Sequence, residues 1–333
     1  MASSFTLVII VVAVALLFDF VNGFHDAANA IATIVVSKTL TPLQAVILAG
    51  AANFIGYFTF GLAVATMIGK GVVHFDQVTL PLLLAALLGA VLWDICTWLI
   101  GLPTSSSHAL IGGLVGSGIA AVGTNVVIWG GVLKIFLFIF IAPVLGGIGA
   151  AIFTTLTLWI FRKSHPAKNA KRFKALQLIA SIFSSIGHGT NDAQKTMGII
   201  ALALFTGGVT STFVIPDWVV FSAYTAISLG TVFGGWRIVK TMGTSITKIR
   251  EMEGFCSSSA SALVLIGTSH FGIPVSTTHV IAGSIMGVGA VEHAASVRWI
   301  TARKIVWAWI LTIPASAIFA GIAYLALAPF LVR

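Results

Sequence analysis

The sequence predicts an all-α polytopic membrane protein made of two inverted-topology repeats, with broken or re-entrant helices meeting at a central site. Three observations carry this. Of 333 residues, 58% are hydrophobic and 8% charged, and the mean hydropathy is +1.07, more apolar surface than one soluble core could bury. Apolar runs of spanning length recur along the whole chain. Two polar motifs, set within or between those runs, appear twice in the same order.

The spanning candidates are ten apolar segments, 5–36, 43–69, 78–101, 106–123, 130–161, 175–205, 213–235, 255–271, 275–291 and 301–330. They are continuous and rich in Gly, Ala, Leu and Ile, which favours helices over a barrel of short alternating strands. The 34 glycines suit close helix packing in lipid. The N-terminus lacks the basic residues of a signal peptide, so the first segment is expected to be retained. Two cysteines, Cys96 and Cys256, make no disulfide or metal framework.

A net charge of +9 raises nucleic acid as a partner, but the basic residues fall in loops between apolar segments, as the positive-inside rule expects. Arg162, Lys163, Lys168, Lys171, Arg172 and Lys174 occupy a central loop. Arg237, Lys240, Lys248 and Arg250 fill a second, and Arg298, Arg303 and Lys304 a third, while 124–129 and 206–215 hold no charge. The basic loops are thus expected on the cytoplasmic side of a plasma or inner membrane, with both termini outside, Lys38 inside and Lys70 the exception. Trp93, Trp98, Trp129, Trp218 and Trp299 read as interface anchors, and Lys134 as a snorkelling residue.

The first motif is Gly23-Phe24-His25-Asp26-Ala27-Ala28-Asn29, and its twin is Gly189-Thr190-Asn191-Asp192-Ala193-Gln194-Lys195, with Asp192 lying 166 residues after Asp26. A carboxylate at the bilayer centre costs roughly 3 kcal/mol on insertion scales, so such acids face a cavity, a partner or an ion. The second motif is Pro103-Thr104-Ser105-Ser106-Ser107-His108, repeated as Pro274-Val275-Ser276-Thr277-Thr278-His279. Shared order and spacing divide the chain into 1–161, a basic linker 162–174, and 175–333. An odd number of apolar segments per unit puts the units in opposite orientation, the arrangement of many secondary transporters. Gly23, Gly187 and Gly189 are read as helix breaks beside the acids. Each proline ends one helix, and the Ser or Thr after it caps the next. Whether 78–123 and 255–291 are re-entrant hairpins or pairs of full crossings is open at this stage.

Two helix N-termini meeting at a pseudo-twofold axis would form an anion socket, and the hydroxyls of Ser105, Ser106, Ser107, Ser276, Thr277 and Thr278 suit a tetrahedral oxyanion. Phosphate and sulfate both fit. Asp26 and Asp192 would repel the anion until a cation sat between them, which is a physical basis for coupling. Asp19 and Asp94 read as polar contacts. His108 and His279 read as hydrogen-bonding supports of the turns rather than metal ligands. A membrane-embedded hydrolase needs one asymmetric nucleophile set, and an anion channel does not need buried acids facing an anion socket, so neither class is favoured.

The two Gly-x-[His/Asn]-Asp-Ala frames, each followed by Pro-x-Ser-[Ser/Thr]-[Ser/Thr]-His, resemble the inorganic phosphate transporter (Pit/PiT) family over nearly the whole chain. The resemblance implies cation-coupled phosphate symport, no enzymatic activity, no resident cofactor and a homodimer in the lipid bilayer. It also implies a cation at Asp26, Asn29, Asn191 and Asp192, phosphate at the six hydroxyl residues, and H+, Na+ or a divalent metal carried with phosphate as co-substrate. Two positions depart from the family pattern. His25 stands where Asn is usual, and Lys195 stands where a second Asn is expected. A charged lysine cannot ligate sodium, so it would replace a bound ion or pair with Asp192, and His25 adds a group titrating near neutrality. These departures favour protons over sodium.

Overall fold

The computed structural model describes residues 2–58, 61–164 and 166–331; the side chain of Lys168, one of the central basic residues, lies outside the described set. The first half runs α1 (Ala2–Val36), α2 (Pro42–Ile55), α3 (Ala63–Gly71), α4 (Leu80–Ile100), α5 (Ser106–Val122) and α6 (Trp129–Phe161). The second runs α7 (Pro166–Thr206), α8 (Asp217–Phe233), α9 (Trp236–Thr244), α10 (Glu251–His270), α11 (Thr277–His293) and α12 (Trp299–Leu331). Each half is a long helix, a bent pair, a hairpin and another long helix. The bent pairs turn by 84° between Pro42–Phe58 and Ala63–Gly71, and by 71° between α8 and α9.

The local signals place the elements. Thr41 and Thr79 accept hydrogen bonds from the N–H groups of Gln44 and Leu82 at the starts of α2 and α4, with Pro42 and Pro81 in the first turns, where a missing N–H costs nothing. The hairpin tips match closely. Gly101 (φ 75°) and Gly272 (φ 65°) take the left-handed conformation that a side chain disfavours. Ser105 and Ser276 then cap α5 and α11 by accepting from the N–H groups of His108 and His279, each at 3.3 Å.

The expected breaks at Gly23, Gly187 and Gly189 are absent: α1 and α7 run unbroken through them. Gly23 and Gly189 instead permit backbone contact. A Cβ on Gly23 would sit 2.1 Å from the Ile227 carbonyl oxygen, and one on Gly189 2.7 Å from Asn53 Cα. Nor are there ten separate crossings. Among the described residues, Ser4–Val36, Leu80–Ile100, Trp129–Phe161 and Trp299–Leu331 are each long and apolar enough to cross a membrane, and the bent pairs raise the candidates to six, a count by length and composition that includes one arm of a hairpin, Leu80–Ile100.

The geometry of the hairpins settles their form. The base of α4–α5 lies at one end of the molecule, where Val73 bridges Val127 and Val78 and Pro81 share a crevice with Leu7, Thr206 and Phe330. The base of α10–α11 lies at the other end, where the Arg298 N–H donates to the Ile246 carbonyl at 2.8 Å and Arg162, Arg250 and Glu292 line one crevice. The 33-residue α12, about 50 Å long, separates these ends. Full crossings would therefore leave the two tips on opposite faces. Instead Lys195 donates both to Ser107 on α5 and to the Val275 carbonyl before α11, so the hairpins are re-entrant and their tips meet inside. The same arrangement gathers the three basic loops at one end.

Each hairpin packs against the final long helix of the opposite half, through small residues. On α5, a Cβ at Gly112 or Gly116 would stand 2.4 Å from the Ile313 oxygen or 2.0 Å from the Ala317 oxygen of α12. On α11, a Cβ at Gly283 or Gly287 would stand 2.1 Å from the Pro143 oxygen or 2.2 Å from the Gly147 oxygen of α6. Both are Gly-x-x-x-Gly spacings, which let helix backbones approach closely. Gly116→Val and Gly287→Val should each lower the apparent unfolding midpoint in detergent, overpacking costing about 1–3 kcal/mol. Gly130→Ala, where a Cβ meets nothing within 4 Å, should leave the midpoint unchanged.

Candidate functional site

The two tips and the two long helices α1 and α7 enclose a buried polar cluster. Asp26 and Asp192 lie one on each long helix, 3% and 0% exposed. The Thr277 hydroxyl stands between them, 3.1 Å from Asp192 Oδ2 and 3.5 Å from Asp26 Oδ2. Thr278 Oγ1 donates to Asp26 Oδ2 at 3.3 Å. The Asn29 amide donates to both threonine hydroxyls, at 3.1 and 2.9 Å, so one half's cluster residue holds the other half's hairpin.

Lys195 takes the corresponding place in the second half. Its ammonium donates to Asp192 Oδ1, to Ser107 Oγ and to the Val275 carbonyl, the last at 3.0 Å, using all three of its hydrogens. It is 1% exposed, so the pairing with Asp192 offsets a large desolvation cost. The expected alternative to a bound ion at this position is thus present as a salt bridge.

The remaining predicted residues divide. His25 Nδ1 donates to Asp26 Oδ1 at 2.6 Å, and its Nε2 lies 3.1 Å from Thr97 Oγ1 and 3.4 Å from Thr104 Oγ1. Ser105 and Ser276 spend their hydroxyls on capping. Ser106 faces Asp94, and Asn191 donates to Ser269 Oγ on α10 at 3.2 Å. His108 and His279 face each other across the two hairpin helices, ring centroids 4.8 Å apart, and His279 stacks on Trp309 at 4.0 Å. The expected hydrogen bonds from these rings to the turns are not found among the described residues, where the rings make packing contacts instead. Asp19 and Asp94 lie within α1 and α4, not at helix ends, and both are fully buried.

Sequence reasoning passed over His188 and Trp309. His188 stands one helical turn before Asp192, and the i, i+4 spacing on α7 could have revealed it. Its Nε2 lies 3.2 Å from Asp192 Oδ2. Asp26, His188 and Asp192 bring one ligand atom each within 4.8 Å of one another, a donor set for a cation. A chain of hydrogen bonds sets the ring. Thr231 donates to the Ile227 carbonyl at 2.9 Å and accepts from Asn53 Nδ2 at 2.8 Å, so Asn53 Oδ1 faces His188 Nδ1 at 3.2 Å. Nδ1 therefore carries the hydrogen and Nε2 is aimed at the acids, either protonated or with its lone pair free for a cation. Trp309 comes from α12 and donates Nε1–H to the Pro103 carbonyl at 3.0 Å; nothing in the local sequence marks it.

A helical membrane protein with two opposed hairpin tips and an acid pair at its centre has the form of a secondary transporter. The phosphate transporter family model matches residues 22–320, and the chain belongs to that family. It is 48% identical over 324 residues to a "probable low-affinity inorganic phosphate transporter" of Rhizobium meliloti (strain 1021), covering 97% of each chain. A protein of the same description from Bacillus subtilis (strain 168) is 45% identical over 323 residues, covering 96% of each. A solved structure titled "The sodium-dependent phosphate transporter" superposes with a TM-score of 0.85 at 27% identity, over 98% of this chain and all of that one. The family is one of transporters, not enzymes.

The Lys195–Asp192 pair gives a direct test. Asp192→Asn strands a buried ammonium and should destabilise the protein by about 3–5 kcal/mol. Adding Lys195→Met should return the unfolding midpoint most of the way to wild type; a double variant no better than Asp192→Asn alone would show that the pair does not carry the stability.

Proposed function

We propose that the protein imports inorganic phosphate by cation symport, with the cation at the Asp26–Asp192 pair and phosphate at the two hairpin tips. The observation that carries this is the charge balance of the cluster: two carboxylates face one ammonium, so that with the His25 and His188 rings neutral one negative charge, held away from water, is left for a co-transported cation to neutralise. Until it is neutralised, the acids repel an incoming phosphate. The N-termini of α5 and α11 supply unpaired backbone N–H groups and positive dipole ends for the anion. Ser107, Thr277 and Thr278 are the hydroxyls placed to join them. Ser106 stands one position removed, and Ser105 and Ser276 act through capping.

The reading extends to the architecture. Residues 1–161 and 175–333 form two units of opposite orientation joined by the basic linker, the end bearing the basic loops faces the cytoplasm, and both termini lie outside. The active form is a homodimer. Lys195 holds, electrostatically, a place that a cation would otherwise take, so the co-ion requirement falls on Asp26 with His25 beside it, and the proton is the favoured co-ion. A second reading is supported by His188. With Nε2 aimed at the acids, Asp26, His188 and Asp192 suit a divalent metal carried as cargo with phosphate, imidazole and carboxylate being a common donor set for transition metals.

In proteoliposomes, Asp26→Asn should abolish gradient-driven phosphate uptake while counterflow exchange persists. An inwardly directed proton gradient without sodium should drive wild-type uptake, and Lys195→Asn should shift the requirement towards sodium. Wild-type uptake that needs sodium and ignores a pH gradient overturns the proton reading. Uptake of labelled metal in step with phosphate, lost in His188→Ala, would establish the metal–phosphate cargo. Ser107→Ala and Thr278→Val should each raise KM for phosphate about fivefold, the worth of one net hydrogen bond of about 1 kcal/mol.

A further inference from the structure

At the end of the molecule where the basic loops gather, a pocket of about 690 Å³ opens between the base of the α10–α11 hairpin and the segments on either side of it. Lys248, Arg250 and Arg298 line it, from two separate loops, together with Glu253 and Glu292. Glu253 Oε2 accepts the Arg250 backbone N–H at 2.8 Å, and its carboxyl lies against that of Glu292. Glu292 lies beyond the apolar run of α11, and partial burial and the Glu253 contact hold its pKa above the usual carboxylate range. No ion pair to Lys248, Arg250 or Arg298 occurs among the described residues. Three cationic side chains thus outnumber the two acids along the lining. The Thr247 and Ser296 hydroxyls, 3.3 Å apart, lie on the same wall. A neighbouring crevice of about 410 Å³ shares Arg250, Glu253 and Glu292 and adds Arg162.

We propose that this pocket binds a phosphate-bearing anion, at a site separate from the central cluster. Fifteen residues of α11, about 22 Å of helix, part Thr277 at the cluster from Glu292 at the pocket. Unpaired guanidinium and ammonium groups from two loops, with hydroxyls between them, recognise phosphoryl oxygens by charge-assisted hydrogen bonds. The anion would tie the start of α10 to the end of α11 and to the following loop, gripping the base of the hairpin whose tip carries Thr277 and Thr278.

The phosphate can belong to a soluble anion or to a lipid headgroup, and the experiment separates them. Purified protein in phosphatidylcholine nanodiscs is titrated with ATP carrying a fluorescent label on the ribose, a probe too large for the buried central cluster. Saturable binding, competed by pyrophosphate and weakened at least tenfold by Lys248→Gln/Arg298→Gln, supports a soluble ligand. Absent nucleotide binding, a rise in unfolding midpoint on adding phosphatidylglycerol, lost in the same variant, assigns the phosphate to lipid. Arg298→Gln alone serves if the double variant is not monodisperse. Lys304→Gln, exposed in the early turns of α12 and outside the pocket, should change neither readout. No binding in either arm, or an equal loss in Lys304→Gln, overturns the proposal, and phosphate uptake by the pocket variants is read separately, so the central site's function is tested independently.

Discussion

The architecture converges on the ammonium of Lys195. One buried cation spends its three hydrogens on Asp192, on Ser107 of one hairpin and on the Val275 carbonyl of the other, tying α7 to two tips that enter from opposite ends. A buried ammonium tolerates no lost partner cheaply, so the tips are held together wherever this bridge is intact. In the first half Asn29 does the corresponding work with a neutral amide, donating only to Thr277 and Thr278. The two halves therefore present similar frames and unequal charges, and the inequality lies beside the acid pair.

Around that bridge, the long helices act as rails. Gly112 and Gly116 bring α5 against α12, and Gly283 and Gly287 bring α11 against α6, with backbone oxygens close enough to exclude any side chain. Each hairpin is thereby carried by the other half of the chain, and neither half holds a complete site alone. Close backbone contact depends on shape alone and contributes no charge, so hydroxyls and acids can be concentrated at the tips without compromising the seams.

The orientation of the site's rings is set from outside it. Thr231 on α8 and Asn53 on α2 turn His188 so that Nε2 faces the acids, while Thr97 and Thr104 meet the far nitrogen of His25. Trp309, through Pro103 and His279, couples one tip to the helix opening the other. These supports all come from a different segment of the chain than the group they orient.

The chain's composition and doubled motifs determined much by themselves: a helical membrane protein, capped turns after Pro103 and Pro274, the set Asp26, Asn29, Asp192 and Lys195, and the hydroxyls that join them. These follow from local chemistry, since hydropathy, proline and a capping serine act within a few residues. Tertiary structure alone decided that the hairpins are re-entrant, that the glycines beside the acids serve packing rather than breakage, and that Thr277 and Thr278 reach the acids and Ser107 the Lys195 ammonium, while Asn191 turns towards Ser269. It alone brought in Trp309 and oriented His188. The reason is physical. A glycine in a long apolar run has the same local cost whether the helix bends or a neighbour's backbone comes close, and a side chain's partner across 80 or 250 residues leaves no trace in its own segment; both are set only when helices from the two halves pack together.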